Sequence, residues 1–365
     1  MTVGHVTPWG VKCGIAKHLS YWRRFLPETR REIILASHPP QWLEPIEDWP
    51  GPKVIRCYKR GEIDLVNLRQ AATETGCHIL HLQWDPSFYN WKGLLGLSEW
   101  AEQAGVLITA TLHVVLDEDP FAREMKMILR VADQVVVGTP AMKAAAEDVA
   151  AKYQITPRRP IRVIPLSHPE VRFKGREGGG RRPLILTWGM PGALKRQGMI
   201  LEAVRLLRRQ GYPNARFVIA GNAITGEQRN AVAAIRQDAA GEPDILQVRD
   251  EWLGDQMLAD LCCEADVIVL NHEWPHPSSS GTIALSVASG TPVVVARSTM
   301  YSGYEGATFQ IRDDNANGIA RAIARALKDP RARDQGIGEV LLSIEPKAVA
   351  AQYEDVYRQI EGATE

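Results

Sequence analysis

Short apolar runs alternate with helical patterns along almost the whole chain, and this rhythm constrains the fold more than any other feature. Runs at Thr2–Thr7, Glu32–Ala36, Val54–Cys57, Ile79–Gln83, Leu107–Leu112, Gln134–Gly138 and Arg162–Pro165 read as strands. Patterns between most of them, as at Gly14–Phe25, Asp64–Thr75 and Gly93–Ala104, read as helices. A strand, a helix and a second strand in sequence require a crossover, so the series predicts a parallel, doubly wound α/β sheet. Residues 172–183 then break the rhythm with three consecutive glycines among charges, which read as a linker.

A second series follows the linker. Strands are expected at Leu184–Trp188, Arg216–Ala220, Ile245–Arg249, Val267–Leu270, Val293–Ala296 and Thr308–Ile311. Helices are expected at Gln197–Arg209, Gly226–Ala239, Gly254–Glu264, Gly281–Ser289 and Asn315–Lys328. The tail from Pro346 to Ile360 is one more amphipathic helix, with Ala348, Val349, Tyr353, Val356, Tyr357 and Ile360 on its apolar face. The length of 365 residues suits two domains, placed at 1–172 and 183–345, with the tail 346–365 returning to the first.

Bulk properties narrow the function. The 43 basic and 43 acidic residues balance, so nothing global draws the chain to nucleic acid or to an anionic membrane. No run of about 18 apolar residues exists, so no membrane span is expected. Met1–Val6 lacks a basic start and a long apolar stretch, so no signal peptide is expected. Cys13, Cys57, Cys77, Cys262 and Cys263 show no C-x-x-C spacing and read as reduced thiols of a cytoplasmic protein.

The chemistry concentrates at Ser278–Pro292, where a small, hydroxyl-rich turn opens a helix that ends at Gly290. The backbone N–H groups of such a turn stand at the positive end of the helix dipole and suit a phosphate or diphosphate; an ordinary N-cap is the plainer reading. Lys195 follows the first strand of the second series in a Met-Pro-Gly-Ala-Leu-Lys-Arg loop, where its ammonium suits a leaving diphosphate. No His/Cys cluster with ligand spacing appears, and no metal is expected.

Two Rossmann-like halves with a C-terminal helix resemble the GT-B glycosyltransferases, and the motifs are similar to those of the family-four retaining members. Trp9–Ala16 resembles that family's first glycine loop, Ile79–Gln83 its H-x-Q strand end and Thr109–His113 its T-L-H strand end. Ala132–Val137 and Val163–Pro165 resemble its later strands of the first domain. Trp188-Gly189 followed by Lys195 resembles its phosphate motif, and Ala265–Leu270 and Gly290–Val294 resemble its donor-site strand ends. The family's Glu-x7-Glu pair would fall at Pro277 and Leu285, so both carboxylates are missing, and Met190 and Arg196 stand where an arginine and a glycine are usual.

The resemblance implies a retaining, metal-independent hexosyltransferase with no cofactor, a nucleotide sugar such as UDP- or GDP-hexose as donor, and a cleft between the domains. Lys195, His113 and Glu273 are the implied catalytic groups, with Glu273 nearest to the missing first glutamate. Donor contacts are implied at Gly14, Gly189, Arg196, Arg249, Trp252, Ser279, Ser280, Gly281 and Thr282. Trp252 stacks on the base or packs its loop–helix junction, and His113 meets a donor hydroxyl or is a structural histidine. Seven of the ten tryptophans, Trp9, Trp22, Trp42, Trp49, Trp84, Trp91 and Trp100, precede residue 101, in the domain that takes the acceptor. Acceptor contacts are expected at Trp9, Gln83, Trp84 and Asp85, with Trp91 in the same loop; Trp22 and Trp100 sit at helical positions and are expected in the core. Asp117, Glu118 and Asp119 offer a base for the acceptor proton. The acceptor is expected to be a glycan or lipid-linked envelope precursor. DNA bearing a hydroxymethylated base is the alternative, given Arg23-Arg24, Arg30-Arg31, Lys59-Arg60, Arg158-Arg159 and Arg181-Arg182. A sugar-nucleotide epimerase or hydrolase, or a non-catalytic nucleotide-sugar binder on the same fold, are the other classes.

Overall fold

A computed structural model describes residues 1–39, 51–174, 182–242, 244–330 and 334–362. Trp42, Trp49, Arg181 and most of the glycine linker lie outside the described residues. The chain divides into two compact units: Met1–Ser167 with His276–Ser279 and Glu345–Glu365, and His168–Pro275 with Ser280–Ile344. The first unit therefore stops short of residue 172, and it claims a short segment from within the second series.

The first unit contains β1 (Thr2–Thr7), α1 (Gly14–Trp22), β2 (Arg31–Ser37), β3 (Val54–Tyr58), α2 (Val66–Glu74), β4 (Ile79–Trp84), α3 (Trp91–Ala104), β5 (Leu107–Leu112), α4 (Ala122–Val131), β6 (Gln134–Val137), α5 (Pro140–Lys152) and β7 (Arg162–Val163). Its seven strands are all parallel, in the order β3-β2-β1-β4-β5-β6-β7. Alternate residues feed opposite faces. Ile33 and Leu35 join the core that holds Leu94 and Met125, while Ile34 and Ala36 join the one that holds Leu19 and Trp22.

The second unit contains β8 (Leu184–Trp188), α6 (Gln197–Arg209), β9 (Arg216–Ala220), α7 (Gly226–Asp238), β10 (Leu246–Arg249), α8 (Asp255–Glu264), β11 (Val267–Leu270), α9 (Gly281–Ala288), β12 (Val293–Val295), β13 (Phe309–Gln310), α10 (Ala316–Lys328) and α11 (Asp334–Ile344). Its six strands are parallel, in the order β10-β9-β8-β11-β12-β13. Val267–Leu270 and Val293–Val295 are buried throughout, as befits central strands covered on both faces.

The last helix, α12 (Pro346–Glu361), belongs to the first unit. Val349, Tyr353, Val356, Tyr357 and Ile360 are all fully buried in the core beside α1, as the apolar stripe requires. Trp22 stacks on Tyr353 with ring centroids 4.0 Å apart, a contact worth about 0.5–1.5 kcal/mol beyond area burial. Arg30, itself buried, clamps the helix through Glu354 at 2.9 Å and through Glu361. No helix among the described residues is long and apolar enough to cross a membrane.

Candidate functional site

In both sheets the strand order reverses beside the first strand: between β1 and β4 in the first unit, and between β8 and β11 in the second. Loops leaving the carboxyl ends of such a pair diverge to opposite faces and leave a crevice, the usual ligand position in an open α/β sheet.

In the second unit these are the loops after β8 and β11. Gly189 leaves β8 at φ +98°, and a Cβ there would lie 2.5 Å from Lys195 Nζ and 3.0 Å from Thr282 Cγ2. Lys195 and the first turn of α9 therefore meet over the face of a glycine whose positive φ and close neighbours make any side chain strained. Gly221, at the end of β9, makes the same point: a Cβ there would fall 2.1 Å from Gly189 O.

Lys195, expected to meet a leaving diphosphate, lies in the loop after β8. Its stem is half-buried, but Nζ is enclosed and donates to Trp188 O at 3.1 Å. Burial pushes the ammonium down to about 7. The ammonium is thus enclosed, with Trp188 O as an acceptor. At the start of α9, Ser280 and Thr282 bond each other (2.8 Å) and neither side chain caps the helix. Gly281 is exposed, and a Cβ there would meet nothing within 4 Å. The N–H group of Gly281, ahead of the first intrahelical bonds, is therefore approachable, while Thr282 is buried.

Arg196 and Glu273 join this cluster with their charges already engaged. Arg196 Nη1 lies 2.7 Å from Asp314 and 3.4 Å from Glu273, and Glu273 N donates to Leu194 O at 2.8 Å. Arg196 is thus a brace between loops, and Glu273 is an exposed member of that ion pair. Arg249 ends β10, the edge strand two strands from β8, and Trp252 follows it. They share the carboxyl edge of the sheet with Lys195 but stand apart from it. Ser279 departs from the expected set. It belongs to the first unit, where a Cβ on Gly138 would fall 2.7 Å from its own Cβ, so it packs on the end of β6. At the positions of the missing carboxylates, Leu285 is buried in the core, and Pro277 O accepts from Val115 N at 2.8 Å.

Sequence reasoning missed Asn271 and His272, which directly follow β11. Asn271 Oδ1 and His272 Nε2 are buried without a hydrogen-bond partner among the described residues. Burial, then the nearby Lys195 charge, hold His272 well below the usual imidazole range. Two polar residues directly after Val-Ile-Val-Leu were the available signal.

In the first unit, His113 follows β5 and bonds Gln83 Oε1 through Nε2 at 2.9 Å. Burial pushes its imidazole down to about 4, so the ring is neutral. Gln83 Nε2 lies 3.2 Å from His81 Nε2, and His18 on α1 meets His113 edge-on with centroids 6.0 Å apart. Both ring nitrogens of His18 are buried without partners among the described residues, a second feature the sequence did not reveal. Gly14 opens α1 exposed, with nothing within 4 Å of a Cβ.

The aromatic acceptor contacts are not exposed. Trp84 is fully buried at the end of β4 and Trp9 is 2% exposed, so both rings serve the core and offer no open face. Asp85 is used locally, accepting from Ser87 N at 3.0 Å. Trp91 is the first residue of α3 and lies outside any loop; Trp22 is buried and Trp100 half-buried against the core, as expected of helical positions. Of the acidic loop, Asp117 pairs with Lys152 and Glu118 lies 3.1 Å from His276. These four groups line a cavity of about 320 Å³ with Val115, Asp148 and Pro277. Burial opposes ionisation of Asp117, but the Lys152 ammonium outweighs it and holds the carboxyl below its usual range.

Residues 182–329 match the family model described as glycosyl transferases group 1. That span is similar to the glycosyl transferases group 1 domain. It contains β8 to β13 and every second-unit residue of the cluster around Lys195. The whole chain is similar to HepE of Anabaena in complex with UDP, at TM-score 0.71 and 12% identity over 98% of this chain and 100% of that one. Sucrose-phosphate synthase from Thermosynechococcus elongatus gives TM-score 0.71 and 17% identity over 100% of both chains. α,α-Trehalose 6-phosphate synthase from Burkholderia multivorans gives 0.70 and 12%, again over 100% of both. No curated protein matches. At such identities the likeness establishes the fold, which is GT-B: two Rossmann-like units, with the last helix packed on the first.

Proposed function

We propose that the protein is a retaining, metal-independent glycosyltransferase that passes a hexose from a nucleotide sugar to a hydroxyl of a glycan or lipid-linked envelope precursor in the cytoplasm. One observation carries the reading. Within a domain similar to the group 1 glycosyl transferases, an enclosed ammonium and an approachable helix start converge over Gly189 at the strand-order reversal. Both stabilise negative charge, and a leaving nucleoside diphosphate supplies it. Neighbours bound to UDP, UDP-glucose, or UDP and glucose support a nucleotide-sugar donor. Five free thiols support a reducing compartment.

In the proposed reaction the bond between the anomeric carbon and the diphosphate oxygen breaks, and a bond to the acceptor oxygen forms on the same face. The acceptor's proton passes to the departing phosphate, so no enzymic carboxylate is required. Lys195 and the N–H group of Gly281 take up the diphosphate charge, and neutral His113 hydrogen-bonds a sugar hydroxyl. The experiment offers UDP-, GDP- and ADP-hexoses with glycan, lipid-linked and hydroxymethylated DNA acceptors, and follows nucleotide release and the anomeric configuration of the product. Release coupled to an axial-to-axial transfer supports the reading. Inverted product, or no release from any donor, overturns it.

A further inference from the structure

Arg60, in the loop after β3, makes no hydrogen bond and no ion pair among the described residues. Its Nε and Nη2 are buried without a partner, and its guanidinium lies 4.3 Å from the centroid of the Phe88 ring. Glu62, two positions on, accepts from Lys59 N at 2.9 Å instead. Gly61 N donates to Phe88 O at 3.0 Å, so the loop after β3 meets the loop after β4. In the order β3-β2-β1-β4 that reach spans the carboxyl end of β1, at the reversal of strand order where α1 begins.

The start of α1 is open at the same place. Cys13 gives it no side-chain cap, and its first intrahelical bond runs from Lys17 N to Cys13 O at 3.1 Å, which leaves the N–H of Gly14 over. Gly14 is exposed, and a Cβ there would meet nothing within 4 Å. Cys13 reports the local potential. Burial pushes its thiol up, while the N–H groups of Ala16 and Ile15 and the Arg60 charge pull it down, and Asp85 adds to the rise. Negative charge here therefore gains from the helix start and from the guanidinium, and is opposed by Asp85, whose carboxylate accepts from Ser87 N and Oγ. His18 lies one turn along on the face of Gly14, and a helical side chain leans toward the N-terminus, here over that bare glycine. His18 is 4% exposed, and neither of its ring nitrogens has a partner among the described residues. Burial, then His113, hold its ring well below the usual imidazole range, so it offers one N–H and one lone pair.

We infer that the start of α1, Arg60 and His18 form a subsite for an acceptor that carries a phosphate group. The phosphate lies against the Gly14 N–H and the guanidinium, and a sugar hydroxyl meets His18. That the ligand is an acceptor rests on the proposed function; the anion site does not. A tetrahedral phosphate offers oxygens to both donors at once, whereas an uncharged hexose leaves the guanidinium without a counter-charge. A free sugar phosphate and a lipid-linked sugar diphosphate share this chemistry.

The probe is inorganic phosphate, titrated by calorimetry into the full chain. Lys195 offers a second anion site, so the titrations are made in the Lys195→Met background. Adding Arg60→Met should weaken phosphate binding by roughly ten- to hundredfold, as expected for losing a charge-assisted hydrogen bond, while melting shows the fold retained. Adding Gly14→Asp should weaken it as well and raise the melting temperature, since a carboxylate at a helix start suits the dipole and repels the phosphate. Phosphate binding that both variants leave unchanged overturns the subsite, and so does no binding at all in the Lys195→Met chain. His18→Phe should weaken a hexose phosphate and leave inorganic phosphate alone; an unchanged hexose phosphate overturns the place given to His18. In turnover, Arg60→Met should raise KM for a phosphate-bearing acceptor and not for the uncharged hexose, and a free hexose phosphate set against a polyprenyl-diphosphate-linked sugar separates the two sources. Preference for hydroxymethylated DNA over both overturns the proposal. If phosphate binds as expected but no donor is turned over, the subsite stands and the glycosyltransferase reading fails. Transfer to an uncharged hexose that ignores both phosphate and Arg60 does the reverse.

Discussion

Replacing Lys195 with methionine keeps the length of the side chain and deletes its charge. The magnitude follows from where Nζ sits. A unit charge about 4 Å from a phosphate oxygen, at the effective dielectric of about 20 suited to protein sites, interacts by about 4 kcal/mol. Loss of a single oxyanion donor in enzymes costs about 2.7–4 kcal/mol, so roughly a hundredfold or more in nucleotide-sugar affinity and turnover is expected at pH 6. The ammonium titrates at about 7 in the free protein, so by pH 8 only about a tenth remains charged. Binding a diphosphate, already fully ionised in a nucleotide sugar, then requires proton uptake. Wild-type affinity should fall about tenfold from pH 6 to pH 8, and the variant's affinity should stay flat. Stability runs the other way. Between pH about 7 and the ordinary lysine value of 10.5 the unfolded chain binds the extra proton, so wild-type stability rises with pH through that window. The variant should lack this rise and melt no lower than wild type at pH 6. Calorimetric titration and melting across pH test both. A flat wild-type profile, or a variant within threefold of wild type at pH 6, refutes the reasoning.

Gly189→Ala places a methyl 2.5 Å from Lys195 Nζ at φ +98° and should cost roughly 1–3 kcal/mol of stability, together with most donor affinity; melting and titration of the same sample check it. Gly281→Asp has room for its side chain and should stabilise the start of α9 by about 0.3–1 kcal/mol while repelling the diphosphate, so melting temperature and Kd should rise together. Chelation by EDTA should leave nucleotide release intact, because Lys195 and the α9 start carry the charge; loss of activity in EDTA that Mn²⁺ or Mg²⁺ restores would contradict the metal-free mechanism.

Continuous apolar runs made the central strands legible: β1, β5, β8, β9 and β11 begin and end where the sequence placed them. Edge strands were less so. β7 and β13 shrink to two residues each, and Pro165, which has no N–H for the ladder, stands just beyond β7. Lys195, Gly189 and Thr282 were legible as a set because they occupy strand and helix ends. The enclosure of Nζ was not, because it depends on the φ of Gly189 and on Trp188 O. Trp84 read as an acceptor platform because a strand-end aromatic looks the same whichever face it takes; here it turns inward. Ser279 read with Ser280 because they are adjacent, yet the chain turns between them onto the end of β6. Tyr357 read only as part of an apolar stripe, since nothing in that stripe announces a hydroxyl bonded to His81.

A structure of the chain with a bound nucleotide sugar tests the central claim most directly. The diphosphate oxygens should lie about 3 Å from Lys195 Nζ and from the N–H group of Gly281. A diphosphate bound elsewhere, with Nζ still held by Trp188 O, would contradict the account.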